Sequence, residues 1–101
     1  MSDSAQSNHL VQLSGPITAN ESNELRETLL LALADGGDLV VDLEISGPWD
    51  LAGLQLLVSL AASGRKREKT IRFVQVPRVC VDIAERAGLE DWLRSMSDSM
   101  L

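Results

Sequence analysis

Few residues in this chain have side chains that could do chemistry, and the densest group lies in GPWDLAGLQLL, residues 47–57. There a turn, an indole, a carboxylate and a glycine come directly before a leucine-rich run. The residues between Asp50 and Gly53 are Leu51 and Ala52. Neither has a nucleophilic atom, so a site built here would bind a partner rather than break a bond.

Catalytic and metal sites are hard to build from the other residues. His9 is the only histidine and lies at the edge of a polar tail, which predicts an exposed or strand-flanking residue rather than a ligand. Cys80, the only cysteine, lies in the apolar pattern VCVDIA and is predicted to fill the core. The chain has no glycine-rich phosphate loop with a lysine, no Ser-His-Asp set and no patterned pair of carboxylates. We therefore expect no enzyme activity, no cofactor and no metal.

Composition narrows the class of protein further. The chain has 101 residues, 45% of them apolar and 24% charged, which is typical of one folded domain. The net charge of -6 disfavours nucleic acid and anionic lipid surfaces as partners. The first residues lack a secretory signal, and no apolar stretch approaches the roughly 20 residues of a membrane helix. We expect a cytoplasmic protein without membrane insertion.

The elements that would position the helix start alternate between strands and helices. We expect a flexible tail at residues 1–8, a single domain at 9–95 and a flexible C-terminus at 96–101. The predicted order begins with a strand from His9, a second short strand, and a helix from Thr18 to about Ala34. A strand over 38–45 follows, then a turn at SGPW and a helix from Leu51 closed by Gly64. The chain continues with the strand TIRFVQV, a helix from Pro77 to Gly88, and a helical turn at LEDWL. This alternation predicts an α/β fold with parallel strands and helices mainly on one face.

Local spacing also predicts how the second helix begins. Asp50 is placed to be the N-cap, with its carboxylate accepting a hydrogen bond from an open backbone N–H in the first turn. Trp49 and Leu54 have the spacing of a hydrophobic staple around that cap. Gly53 allows close approach, either of a neighbouring backbone or of a partner.

Three short motifs together resemble the STAS domain family, which includes anti-sigma factor antagonists and cytoplasmic domains of sulfate transporters. LSGPIT resembles the family's Leu-x-Gly-x-hydrophobic entry into the first helix, LVVDLE its central strand, and WDLAGLQLL its Asp-Ser-Ser-Gly-Leu helix start. The resemblance covers roughly residues 9–93. It implies a STAS-like, four- to five-stranded mixed sheet with helices packed mainly on one face.

The resemblance also implies what the helix start does. In the antagonist branch a kinase phosphorylates the second serine of the motif, and the phosphate controls which partner is bound. Asp50 matches the family's aspartate, Leu51 the first serine, Ala52 the phosphorylated serine and Gly53 the glycine. Alanine has no hydroxyl, so this switch cannot operate at Ala52.

The expected function is therefore a non-enzymatic protein-interaction module of bacterial signalling that needs no phosphate at this position. The variant Asp-x-Ala-Gly-Leu-Gln-Leu-Leu resembles small stand-alone STAS proteins of bacterial chemotaxis gene clusters. The implied partner is a kinase-like, anti-sigma or chemotaxis signalling protein. It would bind at residues 49–53, with Trp49 as an anchor. The chain itself is expected to be a monomer or a homodimer.

Two alternatives stay open at this point. The chain could be a phospho-regulated antagonist that uses another serine, either Ser46 in the same loop or Ser59 within the second helix. It could instead be a STAS subunit of a transport complex that binds a small ligand or a lipid. Asp50 argues against an anion at the helix start, because its own charge occupies the cap.

Overall fold

The computed structural model describes residues 9–35 and 37–98. In this part of the chain five strands alternate with four helices. The strands are β1 (His9–Gln12), β2 (Gly15–Ile17), β3 (Leu39–Asp42), β4 (Ser46–Trp49) and β5 (Ile71–Val74); the helices are α1 (Ala19–Asp35), α2 (Leu51–Lys66), α3 (Arg78–Ala87) and α4 (Glu90–Met96). The expected α/β class is confirmed. The five strands match the expected number only when the two sheets are counted together.

The strands form two sheets. β3 lies at the centre of a three-stranded sheet and pairs in parallel with β1 and β5, while β2 pairs in parallel with β4. All three of these ladders are parallel, so the described strands show no antiparallel pair of the kind a mixed sheet would contain. The reason lies in the connections, because α1 and α2 each carry the chain back to the edge where the preceding strand began.

One face of the three-stranded sheet is buried more deeply than the other. Leu39, Val41 and Phe73 are fully buried, whereas the alternate residues of β3 and β5 are half-buried. This alternation places the core on one side of the sheet, as expected for helices packed mainly on one face. None of the described helices has the length and apolar character needed to span a bilayer.

The segment SGPW was interpreted as a turn, and that interpretation was wrong. Ser46–Trp49 forms β4, whose partner is β2, and the Gly47–Pro48 peptide bond is cis. Proline is compatible with an edge strand because its missing N–H can face away from the ladder. The local sequence of the segment is typical of a turn, and it becomes a strand because it pairs with β2.

The glycines near helix ends have different roles. Gly88 ends α3 in the left-handed conformation, with φ of 75°, as its position predicted. Gly64 does not close α2, which continues to Lys66. A Cβ at Gly64 would lie 2.6 Å from Cδ1 of Ile71, so this glycine allows β5 to approach the helix.

Residues 96–98, the first part of the C-terminal segment that was expected to be flexible, contact the fold. α4 continues to Met96, Ser97 forms a β-bridge with Phe73, and the backbone N–H of Asp98 donates to the Phe73 carbonyl at 2.9 Å. The Asp98 carboxylate also pairs with the Arg72 guanidinium. Residues 96–98 are thus bound to the edge of β5. Residues 1–8 and 99–101, which carry the other predicted flexible segments, lie outside the described residues.

Candidate functional site

The start of α2 is capped as the sequence predicted. Asp50 has extended backbone dihedrals, and its Oδ1 accepts a hydrogen bond from the Gly53 N–H at 3.0 Å. Its Oδ2 also accepts one from the N–H of Ala19, the first residue of α1, at 3.1 Å. One carboxylate therefore satisfies open donors at two helix starts and fixes their relative position.

The start of α1 uses a related but incomplete arrangement. The Glu21 carboxylate accepts a hydrogen bond from the Thr18 N–H at 2.9 Å, as a capping box requires. The Thr18 hydroxyl donates to that same carboxylate and accepts a longer hydrogen bond from the Asn20 N–H at 3.4 Å. A capping box leaves the N–H of the first helical residue open. Asp50 accepts a hydrogen bond from this donor at Ala19 and so joins the two helix starts.

Trp49, the residue expected to anchor a partner, is buried. Its side chain is only 7% exposed and belongs to the core. The indole N–H donates to Oγ of Ser46 at 2.9 Å, and that hydroxyl donates to the Leu43 carbonyl at 2.7 Å. The ring is buried with its polar atom satisfied, so a partner could reach only the edge of Trp49.

The close approach at Gly53 is made by the protein's own backbone. A Cβ added to Gly53 would lie 2.1 Å from the carbonyl oxygen of Ile17 in β2 and 2.9 Å from Cε3 of Trp49. Gly53 itself is buried. Of the two possibilities that the sequence left open, the structure thus gives contact with a neighbouring strand, and Gly53 cannot contact a partner directly.

Leu51 is the exposed residue of the stretch, and the half-buried Ala52 beside it faces a different surface. Ala52 is half-buried and lies in a groove of about 210 Å³ between α1 and α2. The groove is lined by Ser22, Asn23, Arg26, Ala52, Gln55, Leu56 and Ser59. Leu51 is 48% exposed and lies on the other side, in a cavity of about 390 Å³ between α2 and α3. That cavity is lined by Trp49, Asp50, Leu51, Ile83, Arg86 and Ala87.

The two alternative phosphorylation positions have different surroundings. The Ser46 hydroxyl is engaged both as a donor to Leu43 and as an acceptor from Trp49, so a phosphate there would break two hydrogen bonds under the indole. Ser59 is half-buried and lines the same groove as Ala52, two helical turns further along α2.

The other reactive residues lie outside these surfaces. Cys80 is fully buried, and burial raises the pKa of its thiol to about 12, so it carries no thiolate at neutral pH. His9 is half-buried at the start of β1. Within the described ranges, no cluster of three or more histidine, cysteine, aspartate or glutamate residues could hold a metal ion.

Sequence reasoning missed the two arginines beside this site. Arg26 of α1 lies in the groove with Ala52, and Arg86 of α3 lies in the cavity with Leu51. Each is the only cationic residue that lines its depression. Both are far from residues 49–53 in the chain, and no local spacing connects them to that stretch.

Comparison with known proteins agrees with this architecture. The family model described as "Mlab, STAS domain" matches residues 1–97. Among solved structures, the crystal structure of a sulfate transporter family protein from Wolinella succinogenes superposes with a TM-score of 0.71. The match covers 89% of this chain and 75% of that chain at 15% sequence identity, a level at which the likeness concerns the fold alone. No curated protein gives a match.

Proposed function

The chain belongs to the STAS domain family, and on that premise we propose that it is a non-enzymatic protein-interaction module whose partner binds at the α1–α2 groove. The observation that carries the proposal is the position of Ala52 in that groove, beside two helix starts joined by Asp50. At the position that matches the family's phosphoserine, no hydroxyl is available, so binding there is constitutive.

The groove suggests the chemistry of the partner. The exposed side chains around Ala52 are small or polar, and the Arg26 guanidinium supplies the positive charge. In a protein of net charge -6, a local cation of this kind favours a partner that presents a carboxylate. A kinase-like, anti-sigma or chemotaxis signalling protein fits this role. The assignment to chemotaxis is supported by the motif Asp-x-Ala-Gly-Leu-Gln-Leu-Leu, and a cytoplasmic location by the expected class of partner.

The test uses Ala52→Glu as the disrupting variant and Ala62→Glu as its control. Both substitutions add the same charge to α2, but Ala62 is exposed and lies outside the groove. Partners captured from the source cell on each bait are quantified by mass spectrometry, and the purified partner is then titrated against the three proteins. Binding should weaken by at least about tenfold for Ala52→Glu, because the new carboxylate competes with the partner's carboxylate for Arg26 and repels it.

Thermal melts separate binding from folding. Ala52 is the second residue of α2, where a carboxylate is tolerated or favoured by the helix dipole, so Ala52→Glu should melt close to the wild type. If the partner binds both glutamate variants equally well, the partner site is not the groove.

A second candidate function is regulation by phosphate at Ser59, which is favoured by its place in the same groove. A phosphate there would lie on the surface that also carries Arg26, and its charge would compete with a partner's carboxylate. Intact-mass analysis after incubation with serine kinases and ATP tests this idea, with Ser59→Ala and Ser46→Ala as the two comparison proteins. A phosphate gain that survives Ser59→Ala would place the modification elsewhere.

A third candidate function is that of a ligand-binding subunit in a transport complex. It is supported by the solved sulfate transporter family protein and by the cavity between α2 and α3, which combines apolar residues with Arg86. A small apolar ligand with an anionic group would fit that combination. Calorimetric titration with fatty acids, using Arg86→Ala and the neutral alcohols as controls, tests the idea. An absence of heat with every ligand would remove this candidate.

A further inference from the structure

The second half of α1 is apolar around most of its circumference. The run LLLALA occupies residues 29–34. Leu29 and Leu33 are fully buried, whereas Leu31 is 71% exposed, the highest value for any large hydrophobic residue in the described ranges. A helix that is apolar on all sides is expected to be covered on all sides. Here the core covers only one side.

The uncovered side forms a shallow hollow of about 380 Å³ with opposite charges. Its residues are Glu27, Leu30, Leu31, Ala34 and Arg67. The first four have the spacing i, i+3, i+4 and i+7 and therefore share one face of α1. Arg67 is the C-cap residue of α2, and the segment that follows it is held at the end of α1 by a hydrogen bond from the Lys69 ammonium to the Leu33 carbonyl. Arg67 thus lies towards Ala34, about 10 Å along the helix from Glu27.

The two charged residues at the ends of this hollow form no ion pair within the described residues. Three ion pairs are formed within residues 9–35 and 37–98, and they join Arg72 to Asp98, Arg78 to Asp82, and Arg94 to Glu90. Glu27 and Arg67 take no part in them. The apolar face is therefore bounded by a carboxylate at one end and a guanidinium at the other, both turned to solvent.

This arrangement is complementary to itself. When two copies are related by a two-fold axis through the middle of the face, their α1 helices run antiparallel and the Glu27 end of one meets the Arg67 end of the other. We infer that the protein forms a homodimer through the face Glu27–Leu30–Leu31–Ala34–Arg67, with Leu31 of each copy in the hollow of its partner. Two equivalent Glu27–Arg67 ion pairs flank this centre. An anionic membrane is a poorer occupant, because the face has one cation and the chain carries a net charge of -6.

The dimer face shares no lining residue with the α1–α2 groove, so the inference does not depend on the proposed function. The full-length chain is studied by sedimentation equilibrium over a concentration series, where the dimer has twice the 11.0 kDa of one chain. Leu31→Glu should raise the dimer dissociation constant by at least about a hundredfold, since it brings two carboxylates together at the centre of the interface. Its thermal unfolding at low concentration should stay close to that of wild type.

Two sets of variants make the inference specific. Leu10→Glu changes a leucine that is 68% exposed on the edge strand β1, outside the proposed face, and should leave the dimer intact. Glu27→Arg and Arg67→Glu should each weaken the dimer by about tenfold, because like charges then meet at both ends. The double variant Glu27→Arg/Arg67→Glu should restore it, which is expected only when both residues face copies of the same chain.

Each contrary result overturns the inference. A wild type that stays monomeric throughout the concentration series excludes the homodimer. A dimer that is lost with Leu10→Glu but not with Leu31→Glu forms by strand pairing at β1 instead. A double variant that remains as weak as the single variants shows that Glu27 and Arg67 do not face each other across a two-fold axis.

Discussion

The start of α2 and the second half of α1 differ in how their residues are buried. Residues 49–53 have the more distinctive sequence, yet Trp49 and Gly53 are buried and Asp50 is bound to two backbone donors. Residues 29–34 are a plain leucine-alanine run, yet they leave Leu31 largely in solvent. The distinctive stretch thus serves mainly to build the fold, and the plain one offers more apolar surface.

This contrast changes how the family motif is understood in this chain. The motif's aspartate joins the two helix starts, and its glycine allows β2 to approach α2. Leu51 is exposed and Ala52 is half-buried, and the proposed partner would contact these two residues. A binding site at this place would therefore combine buried, hydrogen-bonded residues with a small exposed surface. Substitutions of the buried residues should affect folding, and substitutions of the exposed residues should affect binding.

The largest expected loss of stability is for substitution of Trp49, which lies at the start of α2. Trp49→Ala should lower the free energy of unfolding by about 3–5 kcal/mol, because it removes a buried indole and leaves a cavity beside Gly53. Trp49→Phe is the matched control, since it retains a six-membered aromatic ring and loses the pyrrole ring with its hydrogen bond to Ser46. Urea unfolding measures both. A loss below about 1 kcal/mol for Trp49→Ala would mean that the indole is more exposed than the structure has it.

The next largest loss of stability is expected for substitution of Gly53, and Gly64 in the same helix provides the comparison. Both substitutions to alanine gain helix propensity, but the new Cβ at Gly53 meets a backbone carbonyl at 2.1 Å, whereas at Gly64 it meets the flexible end of Ile71 at 2.6 Å. Gly53→Ala should therefore destabilise by about 2–3 kcal/mol and Gly64→Ala by less. Equal unfolding midpoints for the two variants would contradict the close approach of β2 to the start of α2.

A smaller effect is expected at Asp50. Asp50→Ala should lower the free energy of unfolding by about 1–2 kcal/mol, since it removes the N-cap of α2 and the acceptor for Ala19. Hydrogen exchange gives a sharper readout, because the amides of Ala19 and Gly53 should lose protection together. Faster exchange at Gly53 alone would show that the carboxylate does not join the two helices.

The smallest effect on folding is expected in the second half of α1. Leu31→Ser should change the free energy of unfolding by no more than about 0.5 kcal/mol when the protein is dilute, because the side chain is already 71% exposed. Leu33→Ser is the matched control, since Leu33 is fully buried two residues away. Chemical unfolding of both variants at low concentration checks the difference. Similar losses at the two positions would mean that both leucines contribute to the core.

Several features of the fold and site were predictable because they depend on residues a few positions apart. The carboxylate of Asp50 reaches the N–H of Gly53 within one helical turn, and Gly88 ends α3 by its own backbone conformation. The missing hydroxyl at Ala52 is a matter of residue identity alone. The α/β class followed from the alternation of short apolar segments, since each period reflects the local geometry of a strand or a helix.

The tertiary structure alone decided what distant segments do to one another. The hydrogen bond from Ala19 to Asp50 crosses 31 positions, and the pairing of Ser46–Trp49 with β2 makes a strand of a segment that reads as a turn. Packing also turned Trp49 inward, placed Arg26 beside Ala52 and left Leu31 uncovered. The physical reason is that hydrogen bonds within a turn are encoded by neighbouring residues. Burial and the lining of a groove depend instead on which surfaces the whole chain brings together.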